Sequence, residues 1–433
     1  MKQHKLKGIW ALSGLAGAAA LAVSFNAQAV PSFARQTGLP CQACHTVFPQ
    51  LTHFGREFKL NGYTLTGIKD ISSAAPGASL KINAIPALSA MLQTEWVHVA
   101  NNQANDANNG NGIQNNSALF PQQLSLFYAG EISPHMGLFS QVTMDNTGAF
   151  GWDNTDVRMA FHTKAFGGDT VYGLTLNNNP TVQDLWNSTP AWGYPYTSSD
   201  PAGVGAPYGA LVDGALGGVV VGLGAYTMID GHLYLEADAY QAARGLAGGT
   251  KISNLAPYWR AAWQQNIGAT YLEVGTFGMY ANVTNDAGGL TPAGAGKYTD
   301  VALDAQADHP LYDGTLTGHM TLIHEHFAPA DGSATANANT FRMDGTYNWE
   351  HEFQFSAQYF QATGSSKLTG GTTNGYVLEG AYLPWENTKF IMQYTGYLTY
   401  AGCSSTACNV AAGNGNYSAS GNNTLMLQAW LMY

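Results

Sequence analysis

The sequence predicts an all-β fold, a closed transmembrane barrel of about sixteen antiparallel strands behind an export signal. Three observations predict it. Only 10% of the 433 residues are charged, against about 25% in a typical soluble domain, while aromatics reach 12% and Gly numbers 51. Mean hydropathy is nevertheless −0.11, and beyond residue 29 no apolar run approaches the roughly 18 residues that a membrane helix needs. From about Leu80 onward, apolar and polar residues alternate with period two between turn signals, so that they cancel in any window average. Ordinary soluble enzymes and helical membrane proteins are thereby excluded.

The chain opens on Lys2, Lys5 and Lys7, runs through an apolar stretch from Ile9 to Phe25 and reaches the small-x-small site Ala27-Gln28-Ala29. Residues 1–29 therefore read as an export signal cleaved after Ala29. A retained membrane anchor is the alternative, and Gly14 and Gly17 interrupt the stretch it would need. Cleavage leaves 404 residues and removes three lysines but no acid, so 14 basic side chains (17 less 3) face 28 acidic ones, a net charge of −14. Such a surface repels phosphate backbones, which excludes nucleic acid as a partner, and concentrates cations instead.

Residues 30–76 form the next unit. Cys41-Gln42-Ala43-Cys44-His45 is the C-x-x-C-H pattern of covalent c-type haem attachment. Two thiols form thioethers with the vinyl groups and the adjacent His binds iron axially. A redox dithiol or half of a zinc site would also use C-x-x-C, but the immediate His45 and the export signal favour haem. The motif occurs once, so one covalently bound haem c is expected. Leu51, Phe54 and Phe58 then lie at i, i+3 and i+7, one face of a short helix that Gly62 would stop. Arg56 and Lys59 lie three apart on another face, available to haem propionates or standing as two solvated charges. About 47 residues bury too little surface to fold alone, so this helical segment is expected to plug or cap the periplasmic side of the remainder.

Residues 77–433 supply the barrel. Alternation places strands near 80–97, 119–131, 137–145, 156–166, 170–178, 216–229, 232–243, 257–267, 269–283, 299–309, 314–327, 340–349, 352–363, 374–384, 388–401 and 423–433, an even number as bacterial barrels require. Glu352 to Tyr359 shows the pattern, with Phe353, Phe355, Ala357 and Tyr359 opposite Glu352, Gln354, Ser356 and Gln358. Short turns such as Ser133–Gly137, Gly167–Asp169 and Asp230–Gly231 alternate with long Asn/Gly-rich loops such as Asn101–Asn116 and Thr284–Lys297. Short turns face the periplasm and long loops the outside. The chain ends in an alternating strand with a terminal aromatic, Tyr433.

The polar parity assigns side chains to the lumen: Glu95, Glu236, Asp238, Asp300, Asp304, Asp308, Asp344 and Glu379 against Arg158, Lys164, Arg260 and Arg342. Hard carboxylates suit hydrated divalent iron, although polar lumens are ordinary in such barrels. On the first strand Ser89, Met91, Gln93 and Glu95 share that parity, so Met91 points toward a plug and is a candidate for the second axial position, where Met raises the potential. His53 is its rival and would give a bis-His haem of lower potential. His324 and His326 share one strand face and form a candidate metal pair. Cys403 and Cys408 sit in a Gly/Asn/Ser-rich stretch and read as a loop disulfide, with metal binding as the minor alternative.

Taken together, the export signal, Phe33-Ala34-Arg35-Gln36-Thr37-Gly38-Leu39-Pro40 leading into the Cys41–His45 motif, Phe54-Gly55-Arg56-Glu57-Phe58-Lys59 and the sixteen-strand porin-like remainder resemble the fused monohaem cytochrome-porin family. The match is specific over about residues 33–63 and architectural over the barrel. Members are outer-membrane iron oxidases, and the resemblance implies an Fe(II)-oxidising cytochrome embedded in outer-membrane lipid. Extracellular Fe(II) would be the electron donor and a periplasmic c-type cytochrome or other soluble carrier the acceptor. The N-terminal motif is also similar to that of wider fused cytochrome-porins whose donor is not established. Two other readings stay open: a solute porin with a structural or redox-sensing haem plug, and outward delivery of electrons, for which a lower potential is expected.

Overall fold

The structure is a computed structural model that describes residues 30–65, 70–72, 81–83, 86–100, 116–197, 207–403, 408–409 and 416–433. The export signal and the boundary between residues 76 and 77 lie outside these residues. Sixteen strands form the wall: β1 (Leu88–Val99), β2 (Asn116–Ser133), β3 (Met136–Asp145), β4 (Phe150–Ala165), β5 (Gly168–Asn177), β6 (Val220–Ile229), β7 (Leu233–Ala242), β8 (Ala256–Ile267), β9 (Thr270–Asp286), β10 (Gly296–Leu311), β11 (Gly314–Pro329), β12 (Ala336–Trp349), β13 (Phe353–Gly364), β14 (Thr373–Trp385), β15 (Thr388–Thr399) and β16 (Thr424–Met432). Each pairs antiparallel with the next, and β16 pairs with β1, with Glu95 opposite Gln428, to close the barrel. Closure leaves no edge with unpaired backbone groups, which a strand structure in lipid requires.

All sixteen expected strands are present, with corrected boundaries: β4 starts at Phe150 rather than 156 and β12 at Ala336 rather than 340, and two strands start later than expected. Lys81–Asn83 pairs with Asp70–Ser72 in a separate hairpin, and the first wall strand starts at Leu88, past Pro86, which has no N–H to give to a ladder. Residues 216–219 form a turn rather than the start of β6, because Gly218 adopts φ +74°, a conformation foreign to strands.

The alternation sorts the two faces of the wall. On β10, Val301 and Leu303 are 50% and 53% exposed, whereas Asp300 and Asp304 are each 1% exposed. The first pair meets lipid and the second the lumen. Phe166, Tyr312, Trp349, Trp385 and Tyr433 are exposed at the short-turn end, where an aromatic belt meets the membrane interface. Six tyrosines lie on the opposite face: Tyr226, Tyr234, Tyr240, Tyr258, Tyr271 and Tyr298 are buried inside. Their hydroxyls explain this, since Tyr226, Tyr234 and Tyr240 donate to Leu60, Glu236 and Asn177 respectively and would find no partner in lipid. Among the described residues no helix is long and apolar enough to cross a membrane.

Two segments fill the lumen. The N-terminal one carries helices α1 (Pro31–Thr37), α2 (Cys41–Cys44) and α3 (His53–Leu60). It is tied to the short-turn half of the wall by Ser32 N to Ser89 Oγ (3.0 Å), Gln36 Nε2 to the Ala129 carbonyl (2.8 Å) and Tyr63 OH to Asp156 Oδ2 (2.8 Å). The second is the connection between β5 and β6, which folds inward. Its Val212 N–H donates to Asp300 (2.8 Å), its Leu211 N–H to Glu325 (2.6 Å), and its Thr197 carbonyl accepts from Gln393 (2.8 Å).

Candidate functional site

The two inserted segments meet around one cavity of about 400 Å³. Cys41, Cys44, His45 and Met91 all line it, together with Phe33, Phe48, Phe58, Trp192, Trp430 and Met432. Four side chains with metal- or haem-binding chemistry thus converge from two places in the chain, the Cys41–His45 motif and β1.

Local sequence explains how they are positioned. α2 is a single helical turn whose C-terminal His45 N–H donates to the Cys41 carbonyl, which sets both thiols and the imidazole on consecutive positions of one turn. Thr52 caps α3 by accepting from the Gly55 N–H (3.1 Å), while its own hydroxyl donates to the Ala43 carbonyl (2.6 Å). The cap starts α3 at His53, so Leu51 falls outside the helix and pairs with His45 instead. α3 rests directly on the Cys44 carbonyl: a Cβ at Gly55 would lie 2.2 Å from that oxygen, so only glycine permits this approach.

Both cysteines are thiols, and burial pushes Cys44 up to about 11. The Nδ1 atom of His45 is buried without a hydrogen-bond partner, and burial pushes the imidazole down to about 4. The neutral ring is the form that binds metals. The donor set therefore fits a c-type haem on three counts: paired thiols, a neutral imidazole whose buried Nδ1 has no partner, and an apolar, aromatic-lined space.

A pH prediction arises here. The folded-state pKa of His45 lies below its unfolded value of about 6.5, so its contribution to stability is complete above that value and is lost as pH falls toward 4. In a haem-free Cys41→Ala/Cys44→Ala variant, denaturant unfolding at pH 7 and pH 4 should differ by up to about 3 kcal/mol through this group. His45→Phe in that background should shrink the difference. An undiminished difference would assign it to other groups.

The structure separates the remaining candidates. Met91 is 5% exposed and packs with Phe48, Phe58 and Trp430 in one buried cluster. His53 is exposed at the start of α3, does not line the cavity and sits 6.4 Å from the Tyr271 ring. Arg56 and Lys59 are 3% and 6% exposed, which corrects their reading as solvated charges. Arg56 pairs with Asp308 (3.0 Å) and lies over the Tyr271 ring (4.0 Å), so the wall uses it. Lys59 lines the cavity and donates to the Val182 and Asp184 carbonyls (2.7 and 2.6 Å). Burial pushes its pKa down to about 7. Its depth follows from α3 lying inside the lumen, a placement that helix periodicity alone does not reveal.

Apart from Lys164, which is exposed near the short-turn end of β4, the charges assigned to the lumen are buried or half-buried there, but the carboxylates are engaged rather than open as a cation path. Asp304 binds Arg260 (2.7 Å), Asp308 binds Arg56, Asp344 binds His319 (2.9 Å), Glu379 accepts from Gln354 and Gln393 (2.9 and 2.8 Å), and Asp213 of the inward loop binds Arg342. Among the described residues, no group of three or more His, Cys, Asp or Glu side chains is arranged to hold a metal ion. His324 and His326 do share a face, but it is the outer face, and each Nδ1 contacts a cross-strand amide, Asn339 (2.8 Å) and Asn337 (2.7 Å). Cys403 is disulfide-bonded, and the Cys408 side chain lies outside the described residues.

What sequence reasoning missed is the inward loop: Asp184, Asn187, Trp192 and Tyr196 also line the cavity. The signal was a 42-residue gap between β5 and β6 with Trp186, Trp192, Tyr194 and Tyr196 in it. Aromatics of that density do not suit a solvated external loop.

No family model matches the chain and no curated protein does. Solved structures do match in fold. An anion-selective porin from Comamonas acidovorans has 13% identity and a TM-score of 0.47, covering 80% of this chain and 98% of that one. The outer membrane channel DcaP of Acinetobacter baumannii has 10% identity and a TM-score of 0.48, covering 80% and 96%. OmpT of Vibrio cholerae has 12% identity and a TM-score of 0.45, covering 80% and 97%.

Proposed function

We propose that the chain is an outer-membrane electron-transfer protein that oxidises extracellular Fe(II) at one haem c, which Cys41, Cys44, His45 and Met91 would hold. Electrons would pass to a periplasmic c-type cytochrome or another soluble carrier. The observation that carries this reading is the single cavity lined by Cys41, Cys44, His45 and Met91. When bound, the haem supplies a one-electron iron couple. The protein's own part is positioning and exclusion. α2 presents the two thiols and His45, β1 presents Met91, and Phe48, Phe58 and Trp430 keep water from the space between, which favours a stable potential. Gly38, Leu39 and Pro40 are exposed beside the cavity at the short-turn end, which supports an acceptor on the periplasmic side.

The inserted segments favour this reading over a solute porin. Buried contacts join them to each other, Lys59 to the 182 and 184 carbonyls, and bond each into the wall, Tyr63 to Asp156 and Val212 N–H to Asp300. Such a lumen suits electrons better than solutes. A Met ligand, in turn, suits acceptance from a weak reductant better than outward delivery. The engaged carboxylates favour outer-sphere transfer over a resident iron site. Ferrous ion mixed with the purified protein tests the proposal. Rapid conversion of the oxidised to the reduced haem spectrum is expected, and a protein without haem, or one whose haem stays oxidised, would overturn it.

A further inference from the structure

Lys389 is a buried cation whose ion-pair partner lies on the wall and in neither inserted segment. It lies on β15 directly across from Trp430, and its side chain is 0% exposed. Its Nζ sits 5.8 Å from the centre of the Trp430 ring and 5.9 Å from that of Phe48, and both rings line the cavity. Its ion-pair partner is Glu379, at 3.5 Å, and Nζ makes no hydrogen bond. Glu379 is anchored on its other sides by Gln354 (2.9 Å) and Gln393 (2.8 Å) and does not line the cavity. The pair is thus an oriented dipole, its positive end against the aromatic wall of the cavity and its negative end fixed behind.

Burying an ammonium with one distant carboxylate and no hydrogen bond is costly, and an apolar side chain would complete the Phe48 and Trp430 packing more cheaply. Lys59, the other buried lysine near the cavity, differs: its two hydrogen bonds hold the inward loop. We propose that Lys389 raises the reduction potential of the group held in this cavity, acting as the positive end of the buried pair with Glu379; this rests on the haem reading above. The physical reason is Coulombic. A fixed positive charge in a low-dielectric surround disfavours the oxidised, more positive state of a neighbouring redox centre relative to the reduced one. No bond is made or broken and no proton moves. One electron is accepted, at a higher potential. Lys389 is in this sense a tuning residue that acts through space, not a ligand.

The test is a spectroelectrochemical titration of the purified full-length protein. Lys389→Met should lower the midpoint potential by an amount equivalent to at least a tenfold fall in the one-electron equilibrium constant, about 59 mV. Lys389→Arg, which disturbs packing more but keeps the charge, should stay near wild type. If Lys389→Met folds poorly because Glu379 is left uncompensated, Lys389→Met/Glu379→Gln removes both charges and should still show a smaller fall. An unchanged potential in Lys389→Met, or an equal fall in Lys389→Arg, would overturn the inference while leaving the haem reading intact. Wild-type protein without a c-type haem spectrum would overturn both.

Discussion

Met91→Ala is expected to lower the midpoint potential by roughly 0.1 V or more, a fraction of the about 0.8 V that axial ligation spans, and to abolish any Met-to-iron charge-transfer absorption. The expectation rests on the parity of β1. Ser89, Met91, Gln93 and Glu95 are buried along one side of the strand while Leu88 and Trp96 are exposed on the other. Met91 is the member of that row that lines the cavity shared with His45 and carries a sulfur donor. Alanine carries no sulfur donor, so a haem held by Cys41, Cys44 and His45 would lose the thioether that Met91 would supply. Met91→Leu separates ligation from packing, because a volume-conserving swap costs under about 1.5 kcal/mol yet also removes the donor. Both variants should lose the absorption band, and His53→Ala should keep it. A retained band and potential in Met91→Leu would remove Met91 from the iron.

The barrel was legible because its rule is local. Each strand must alternate, since one face meets lipid and the next residue meets the lumen, and sixteen such stretches could be read without knowing which pairs with which. Met91 was legible for the same reason: its parity follows from Ser89 and Gln93 beside it. The fate of Arg56 and Lys59 was not. A three-residue spacing on α3 describes a helix face but not what lies opposite, and what lies opposite is Asp308 from β10 and the 182–184 backbone, more than 120 residues away in sequence. The same holds for the lumen carboxylates. Their parity was readable, but which partner engages each one depends on cross-strand neighbours, on α3 and on a loop folding inward, as with Asp304 and Arg260, Asp308 and Arg56, and Asp300 and Val212, and none of these has a period. Lys389 shows the limit most clearly. Its inward parity was within reach, but its meaning comes from two aromatic rings, Phe48 and Trp430, that only the closed barrel brings beside it.

That inward loop makes Arg260 the residue whose loss should change the lumen most. Its guanidinium forks onto Asp304 (3.0 and 2.7 Å) and reaches Glu273 (3.2 Å) on the wall, while contacting Asp184 (3.3 Å) and Ser188 (3.4 Å) of the loop. The Trp186 ring of the same loop lies 5.1 Å away. The four charged side chains of the cluster are fully buried, so one cation compensates three carboxylates in a low-dielectric surround. Arg260→Met leaves those carboxylates facing one another, and breaking a buried pair in this way costs about 3–5 kcal/mol. The cheapest relief is to let Asp184 leave, because the wall positions of Glu273 and Asp304 are held by ladder pairing with β8, β10 and β11 whereas the loop is held by side chains. The loop should therefore lift, Lys59 should lose its carbonyl partners, and the lumen should open to solutes. In planar bilayers Arg260→Met should show frequent discrete conductance steps where wild type passes little current, together with a lower melting temperature. Arg260→Lys should fall between the two, since a point charge cannot fork across Asp304 and still meet Glu273 and Asp184. Wild-type conductance in Arg260→Met would mean that the loop stays seated without its clamp, through its other contacts with the wall such as Val212 with Asp300, Leu211 with Glu325 and Thr197 with Gln393.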